Sequence, residues 1–497
     1  MLKKLLSLGA ILFASSLSLF AQRQMETLNR GLIAMSTGTG VYTSWRIPGD
    51  EWYDVTYNLY RDGSLIASDL KVSNYSDADG TTSSTYQVAA VVDGVEQAKC
   101  KAVSVIATRD GNGHPYIEVP VVSGKDDQGN DLMANYSIND ISVADLDGDG
   151  EYEYIVKRFN SDFSPKVTAY ARFEAYKLDG TLLWYINMGP NMINGGHVET
   201  DCMAFDFDED GKAEVVIRAT DGTTFPKAGG GRQTIGDGTV NYRYEGVTYQ
   251  TQGDEWLVLC DGETGQVLDS EIFDAVEDDV AKGNGLARVS AAFWWNGNTK
   301  AYGHRANKFH WGAPYLDGRH PSIYIGRGCY TNLHMCTWDV KNKKLQRRWS
   351  FATDDTSDPW YGQGFHNFAI VDVDEDGRDE IVHGNCVVDE FGRRLSSTGL
   401  GHGDAQHYGD FDPFRKGQEG FRCLEDNPGA VLVDATTNEK LIRWVRGNDN
   451  GRCLAGKFTN QWPGAQLWTT DGHFWSATLS RGADQTIATS APGVTMN

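Results

Sequence analysis

"DLDGDGEYE" (Asp145–Glu153) sets aspartates at alternate positions, Asp145, Asp147 and Asp149, followed by a glycine and an acid, Glu153, at the ninth position. Alternate side chains on a tight loop converge on one point, and the glycine lets the backbone turn back towards it. The pattern recurs as "DFDEDGKAE", with Asp206, Asp208, Asp210 and Glu214, and as "DVDEDGRDE", with Asp372, Asp374, Asp376 and Glu380. Hard oxygen ligands in a flexible loop suit Ca2+. An EF-hand would carry a glutamate at its twelfth position between two helices, but the first copy has Val156 there and strand-like flanks. The three segments therefore read as strand–loop–strand calcium sites, several ions to the chain. Solvated Asp-Gly turns capping hairpins would explain one copy but not three.

These segments are similar to the FG-GAP loops of integrin-type propellers, and they order the rest of the chain. Each lies between two short apolar runs, as in "ISVADLDGDGEYEYIVKR" (Ile141–Arg158), and weaker copies stand at "YLDGRHPSIYIGRG" (Tyr315–Gly328), "DFDPFRKGQEGFRC" (Asp410–Cys423) and "FTNQWPGAQLWTT" (Phe458–Thr470). Several spacings are close to one propeller blade, and no stretch reads as a long amphipathic helix. An all-β chain is predicted, with a β-propeller over residues 109–497 carrying long insertions between blades. Residues 25–108 alternate apolar and polar in "GVYTSWRI" (Gly40–Ile47), "YNLYRDG" (Tyr57–Gly63) and "STYQVAAVVDGVE" (Ser84–Glu96), which predicts a fibronectin-III-like β-sandwich with a scaffolding role. The chain ends in "SAPGVTMN" without a recognisable closing blade, so either an unusual closure or a ring incomplete at its C-terminus is expected.

The first residues, "MLKKLLSLGAILFASSLSLFA", pair Lys3 and Lys4 with an apolar run, which predicts a signal peptide over 1–21 and a secreted or periplasmic protein. No membrane span is expected after it. Acids outnumber bases by 68 to 45, which argues against binding nucleic acid through a basic face. The eight cysteines form no CxxC pair and are expected as buried free thiols rather than zinc ligands.

Two glycine-rich stretches bring histidines near the acidic loops: "YGQGFHNFAIVDVDEDG" with His366, and "GLGHGDAQHYGDFDP" with His402, Asp404 and His407. Imidazole is not a preferred calcium ligand, so the residues alone point to a transition metal or to acid–base work.

These stretches, with "YLDGRHPSIYIGRGCYT", "RGLIAMSTGTGVYTSWRI" and "YNLYRDG", resemble the rhamnogalacturonan lyases of polysaccharide lyase family 11, in order from about Arg30 to the C-terminus. The resemblance implies an eight-bladed, calcium-rich propeller that cuts the rhamnose–galacturonic acid bond of rhamnogalacturonan I, an acidic plant cell-wall polysaccharide, by β-elimination. It implies His366 and His402 as unusual calcium ligands, Asn139 of "SINDISVAD" as a substrate contact and Arg452 of "NDNGRCLAG" as a substrate-binding and catalytic residue. Phe159 stands where the family has an aspartate, and the family's substrate-binding Asn-Gly-Thr-Lys segment, with the lysine expected as base, belongs to a final blade region this chain lacks. A monomer is expected. The rival expectations are a calcium-stabilised propeller that binds carbohydrate or protein without chemistry, and a glycoside hydrolase with two facing carboxylates.

Overall fold

The computed structural model describes residues 23–26, 28–48, 51, 55–107, 115–162, 164–192, 202–243, 253–272, 308–353, 356–478 and 486–488. The leader read at 1–21 lies outside the described residues. Every regular element among them is a β-strand.

Residues 33–104 form two facing sheets. One pairs Ile33–Ser36 and Asn74–Asp77 with the central Val41–Ser44; the other orders Ser64–Leu70, Thr56–Arg61, Thr85–Val92 and Val95–Glu96 side by side, with Val103–Ser104 on the edge of Thr85–Val92. Strict alternation turns Val41, Tyr57, Leu59, Tyr86 and Val88 into the shared core, closed by Trp45 edge-on to Tyr57. Asp77 crosses between the sheets, accepting from Arg61 and from the Tyr86 hydroxyl at 2.7 Å each.

The remaining chain is a propeller, with six blades among the described residues, each built on a four-stranded antiparallel meander. Blade 1 runs Ser137–Ala144, Glu153–Phe159, Arg172–Tyr176, Leu182–Asn187, widened by the hairpin Thr224–Pro226 and Arg232–Thr234. Blade 2 comprises Cys202–Phe205, Glu214–Thr220, Glu255–Asp261 and Val267–Ile272, and blade 3 Phe309–Gly312, Ile323–Arg327, His334–Lys341 and Lys344–Ala352. Blade 4 comprises Ala369–Val371, Glu380–His383, Cys386–Val388 and Arg394–Ser397, and blade 5 Gly403–Gly409, Glu419–Leu424, Gly429–Asp434 and Lys440–Val445. Blade 6 is Cys453–Gly456, Gln466–Thr469, Phe474–Ser476 and Thr486–Ala488.

Blade stacking explains why the middle strands are apolar runs rather than alternating ones. Glu214–Thr220 and Glu419–Leu424 are buried at every position, each covered on both faces. Arg218 of blade 2 and Arg327 of blade 3 both bind Glu255, at 2.5 and 2.9 Å, across the blade boundary. All eight cysteines are free, and all but Cys100 are buried.

The first strand of each blade is its innermost. That of blade 2 adjoins those of blades 1 and 3, and that of blade 5 adjoins those of blades 4 and 6, with a parallel bridge between Phe365 and Gly403. All six therefore run the same way along the axis. One face of the propeller gathers their starts (the entry face) and the opposite face gathers their ends. The segment before the sandwich crosses that second face: Arg23 pairs with Asp379 at 2.8 Å, Gln24 donates its amide to Arg319, and Asn29 donates to Gly150.

Candidate active site and metal centres

The inner-strand direction separates two kinds of site. Asp145–Glu153, Asp206–Glu214 and Asp372–Glu380 join inner strand to second strand in blades 1, 2 and 4, and the weaker copies occupy the same joint in blades 3, 5 and 6. The sixth-position glycines, Gly150, Gly211 and Gly377, take φ of 85°, 91° and 92°, the left-handed turn the motif needs. The first aspartate folds back onto backbone amides: Asp372 accepts from Asp376 and Gly377 at 3.0 and 2.9 Å. The closing glutamate caps the loop start, Glu153 accepting from Leu146, Glu214 from Phe207 and Glu380 from Val373 at 2.8 to 2.9 Å.

Carboxylate oxygens converge within 4.8 Å in three sets: Asp145, Asp147 and Glu153; Asp206, Asp208 and Asp210; Asp372, Asp374 and Glu380. Asp149, Glu214 and Asp376, expected as ligands, stand outside these sets. Burial, with the neighbouring aspartates, pushes Glu153 up to about 7 and Glu214 and Glu380 to about 8. The Glu380 Oε1 is buried and accepts no hydrogen bond. An all-oxygen donor set with a buried, unpartnered carboxylate oxygen fits a hard divalent cation.

The entry face carries a different cluster. His366, His402, Asp404 and Glu425 bring ligand atoms within 4.8 Å of one another. Arg452 immediately precedes the blade 6 inner strand, His402 that of blade 5 and Lys308 that of blade 3. The following residues, Phe309, Gly403 and Cys453, are buried. His402 is 3% exposed; its Nδ1–H donates to the Gly364 and Cys329 carbonyls at 2.6 and 3.1 Å. That fixes the tautomer and leaves Nε2 as a lone-pair donor, buried without a hydrogen bond and 3.3 Å from Glu425 Oε2. Burial also holds His402 below the ordinary histidine range. His366 lies edge-on to it, with ring centroids 4.9 Å apart, and its Nε2 is 2.9 Å from the Tyr330 hydroxyl and 3.4 Å from Asp404. Two cations flank the cluster, Lys308 against His366 Nδ1 and Arg452 at 3.2 Å from Asp404. Burial pushes Asp404 up to about 6, with Asp449 adding to the shift and Arg452 opposing it.

Residues 116–496 match the family described as rhamnogalacturonan lyase family 11, C-terminal domain, and residues 23–106 match the rhamnogalacturonan I lyase beta-sheet domain. The chain belongs to rhamnogalacturonan lyase family 11. Among family members it is 40% identical over 469 residues to the rhamnogalacturonan endolyase YesW of Bacillus subtilis, spanning 92% of this chain and 71% of that one. It is equally identical, 40% over 461 residues, to the exolyase YesX of the same organism, spanning 90% and 71%. The crystal structure of YesX superposes with a TM-score of 0.76 at 37% identity over 95% of this chain and 76% of that one. The family 11 lyase of Bacillus licheniformis gives 0.73 at 36% over 92% and 75%.

In this family 11 chain the structure unites His366, His402 and Arg452. Asn139 stands on the inner strand of blade 1, sharing no hydrogen bond with them, its Oδ1 buried and accepting none. Phe159 is part of the blade 1 core. His407 is occupied structurally, 2.9 Å from the Cys453 carbonyl. Glu425, Tyr330 and Lys308 are the residues that sequence reasoning missed. For Glu425 the signal lies in hairpin register: Gly403 pairs with Leu424, which sets their outer neighbours His402 and Glu425 opposite each other.

Proposed function

We propose that this chain is an exported lyase that cuts the rhamnose–galacturonic acid bond of rhamnogalacturonan I by β-elimination, with calcium at the entry-face cluster. The carrying observation is the convergence of His366, His402, Asp404 and Glu425 beside Arg452 in a member of this family. In the elimination a base takes the C5 proton, the C–H electron pair becomes the C4=C5 double bond, and the C4–O bond breaks as its oxygen is protonated. The galacturonate carboxylate must be neutralised for C5 to acidify. Calcium, when bound there, supplies part of that neutralisation. Arg452, its side chain 42% exposed, supplies the rest by exchanging Asp404 for the substrate carboxylate. Lys308 adds positive charge on the opposite side of the cluster, which matters in a chain of formal charge −23 approached by a polyanion. Asn139 orients the sugar from blade 1. The three acidic loops lie on the far face, where calcium stiffens the blades rather than touching substrate.

The test is ultraviolet absorbance during incubation with rhamnogalacturonan I, with and without chelator. A lyase makes a double bond conjugated to the carboxylate, so a rising, chelator-sensitive signal is expected. New reducing ends without absorbance would mean hydrolysis. Retention on the polysaccharide without any product would mean a binding propeller.

A further inference from the structure

Blades 5 and 6 share a core in which two cysteines from different blades meet. Cys423 lies on the second strand of blade 5, where it pairs with Ala405 of the inner strand, and Cys453 opens the inner strand of blade 6. Both are fully buried members of one apolar cluster with Phe421, Leu467 and Trp475. Both thiols donate to one acceptor, the Ala405 carbonyl, Cys423 at 3.6 Å and Cys453 at 3.4 Å. The two strands bring α-carbons within 8 Å of each other. Burial holds the Cys453 thiol well above its ordinary range, and the adjoining Cys423 thiol adds to the shift.

Cys202 and Cys260 also share a core, but the second strand of blade 2 runs between theirs, with Ile217 paired to Cys202 and Val215 to Cys260. Two strand spacings separate those backbones by about 9.5 Å, beyond the roughly 7 Å that a disulfide spans between α-carbons. Between Cys423 and Cys453 no strand intervenes. Giving up their two S–H bonds to Ala405 costs little, since a thiol is a weak donor.

We infer that Cys423 and Cys453 are a site of oxidation, closing to a disulfide that staples blade 5 to blade 6. One thiolate attacks a disulfide oxidant to give a mixed disulfide, and the second displaces it. The protein loses two hydrogens and the oxidant leaves as two thiols. Buried thiols exchange only when the blades part, so the bond forms during folding or transient opening. The proposed export carries the chain to oxidants of that class, while the pairing itself is set by the blade boundary. The staple lies beside the entry-face cluster: Cys453 follows Arg452, and Cys423 lies two residues before Glu425. Closing it fixes the strand next to Arg452 against the hairpin flanked by His402 and Glu425.

The test equilibrates wild type with oxidised and reduced glutathione in urea below its unfolding transition, where blades open transiently. Thiols left free are then blocked with N-ethylmaleimide in strong denaturant, and the unreduced peptides are mapped by mass spectrometry. One Cys423–Cys453 link is expected, with the other six of the eight cysteines blocked. In dithiothreitol all eight should be blocked. The linked protein should melt several degrees above the reduced one, and Cys453→Ala should show no such gap between the two conditions. Eight blocked thiols even in oxidised glutathione alone would overturn the inference. So would glutathione retained on either cysteine without a link, or a link from either to a different cysteine. A linked protein that melts below the reduced one would overturn it too, since the bond would then strain the blade boundary instead of fitting it.

Discussion

At the scale of single residues, the argument turns on what each polar atom has left to give. His402 spends Nδ1–H on two carbonyls and keeps Nε2; Arg452 is tied to Asp404 but half in solvent. We predict that Arg452→Ala lowers kcat/KM on rhamnogalacturonan I by roughly 10²–10³, the range for losing one preorganised charge-stabilising donor. Arg452→Lys should recover only part, because an ammonium lacks the paired donors of the guanidinium. Initial rates from the absorbance assay check both. An Arg452→Ala enzyme with wild-type kcat/KM would reduce Arg452 to a surface ion pair. His366 and His402 were legible because they sit in short, unusual glycine-rich stretches, whereas Arg452 came only through the family resemblance of "NDNGRCLAG". Glu425 was not, since nothing in "RCLEDNPG" marks it until the register of Gly403 against Leu424 is known. Lys308 was hidden in the same way, because only blade rotation makes it equivalent to His402 and Arg452.

At the scale of the element, the acidic loop is the unit that repeats, and its geometry follows from one backbone requirement. Gly377 holds φ at 92°, and a Cβ there would meet nothing within 4 Å. Replacement by alanine therefore isolates conformational strain from crowding. Gly377→Ala is expected to destabilise the calcium-loaded protein by roughly 1–2 kcal/mol, the cost of a left-handed L-residue. Chemical denaturation measures it, and a cost near zero would mean the loop turns without strain. The loops also located the blades. Strong and weak copies alike fall at the joint between inner and second strand, because that joint must reverse the chain tightly whether or not it holds an ion. Sequence spacing could not show which acids converge, since Asp210 joins its set while Asp149 and Asp376 do not.

At the scale of the whole molecule, burial makes stability depend on pH. His383 is fully buried between blades, 2.9 Å from the Tyr324 hydroxyl at Nδ1 and 3.0 Å from the Gly328 carbonyl at Nε2, and burial pushes it down to about 4. Burial likewise pushes His334 down to about 3. An unfolded histidine titrates near 6.5, so below that pH the unfolded chain binds protons that the folded chain refuses. Stability is thus full above about 6.5 and falls as pH drops towards the folded values. No motif announces this, because His383 follows the third acidic loop in "RDEIVHG" and only blade stacking buries it on every side. Each histidine should cost roughly 2 kcal/mol between pH 7.5 and 5, from about 1.4 kcal/mol per pKa unit. Urea unfolding in saturating calcium at both pH values should show the drop in wild type. His383→Gln, which cannot take up the proton, should lose less over the same interval even if it starts less stable. Equal losses in the two proteins would mean that His383 does not set the acid side of the stability profile.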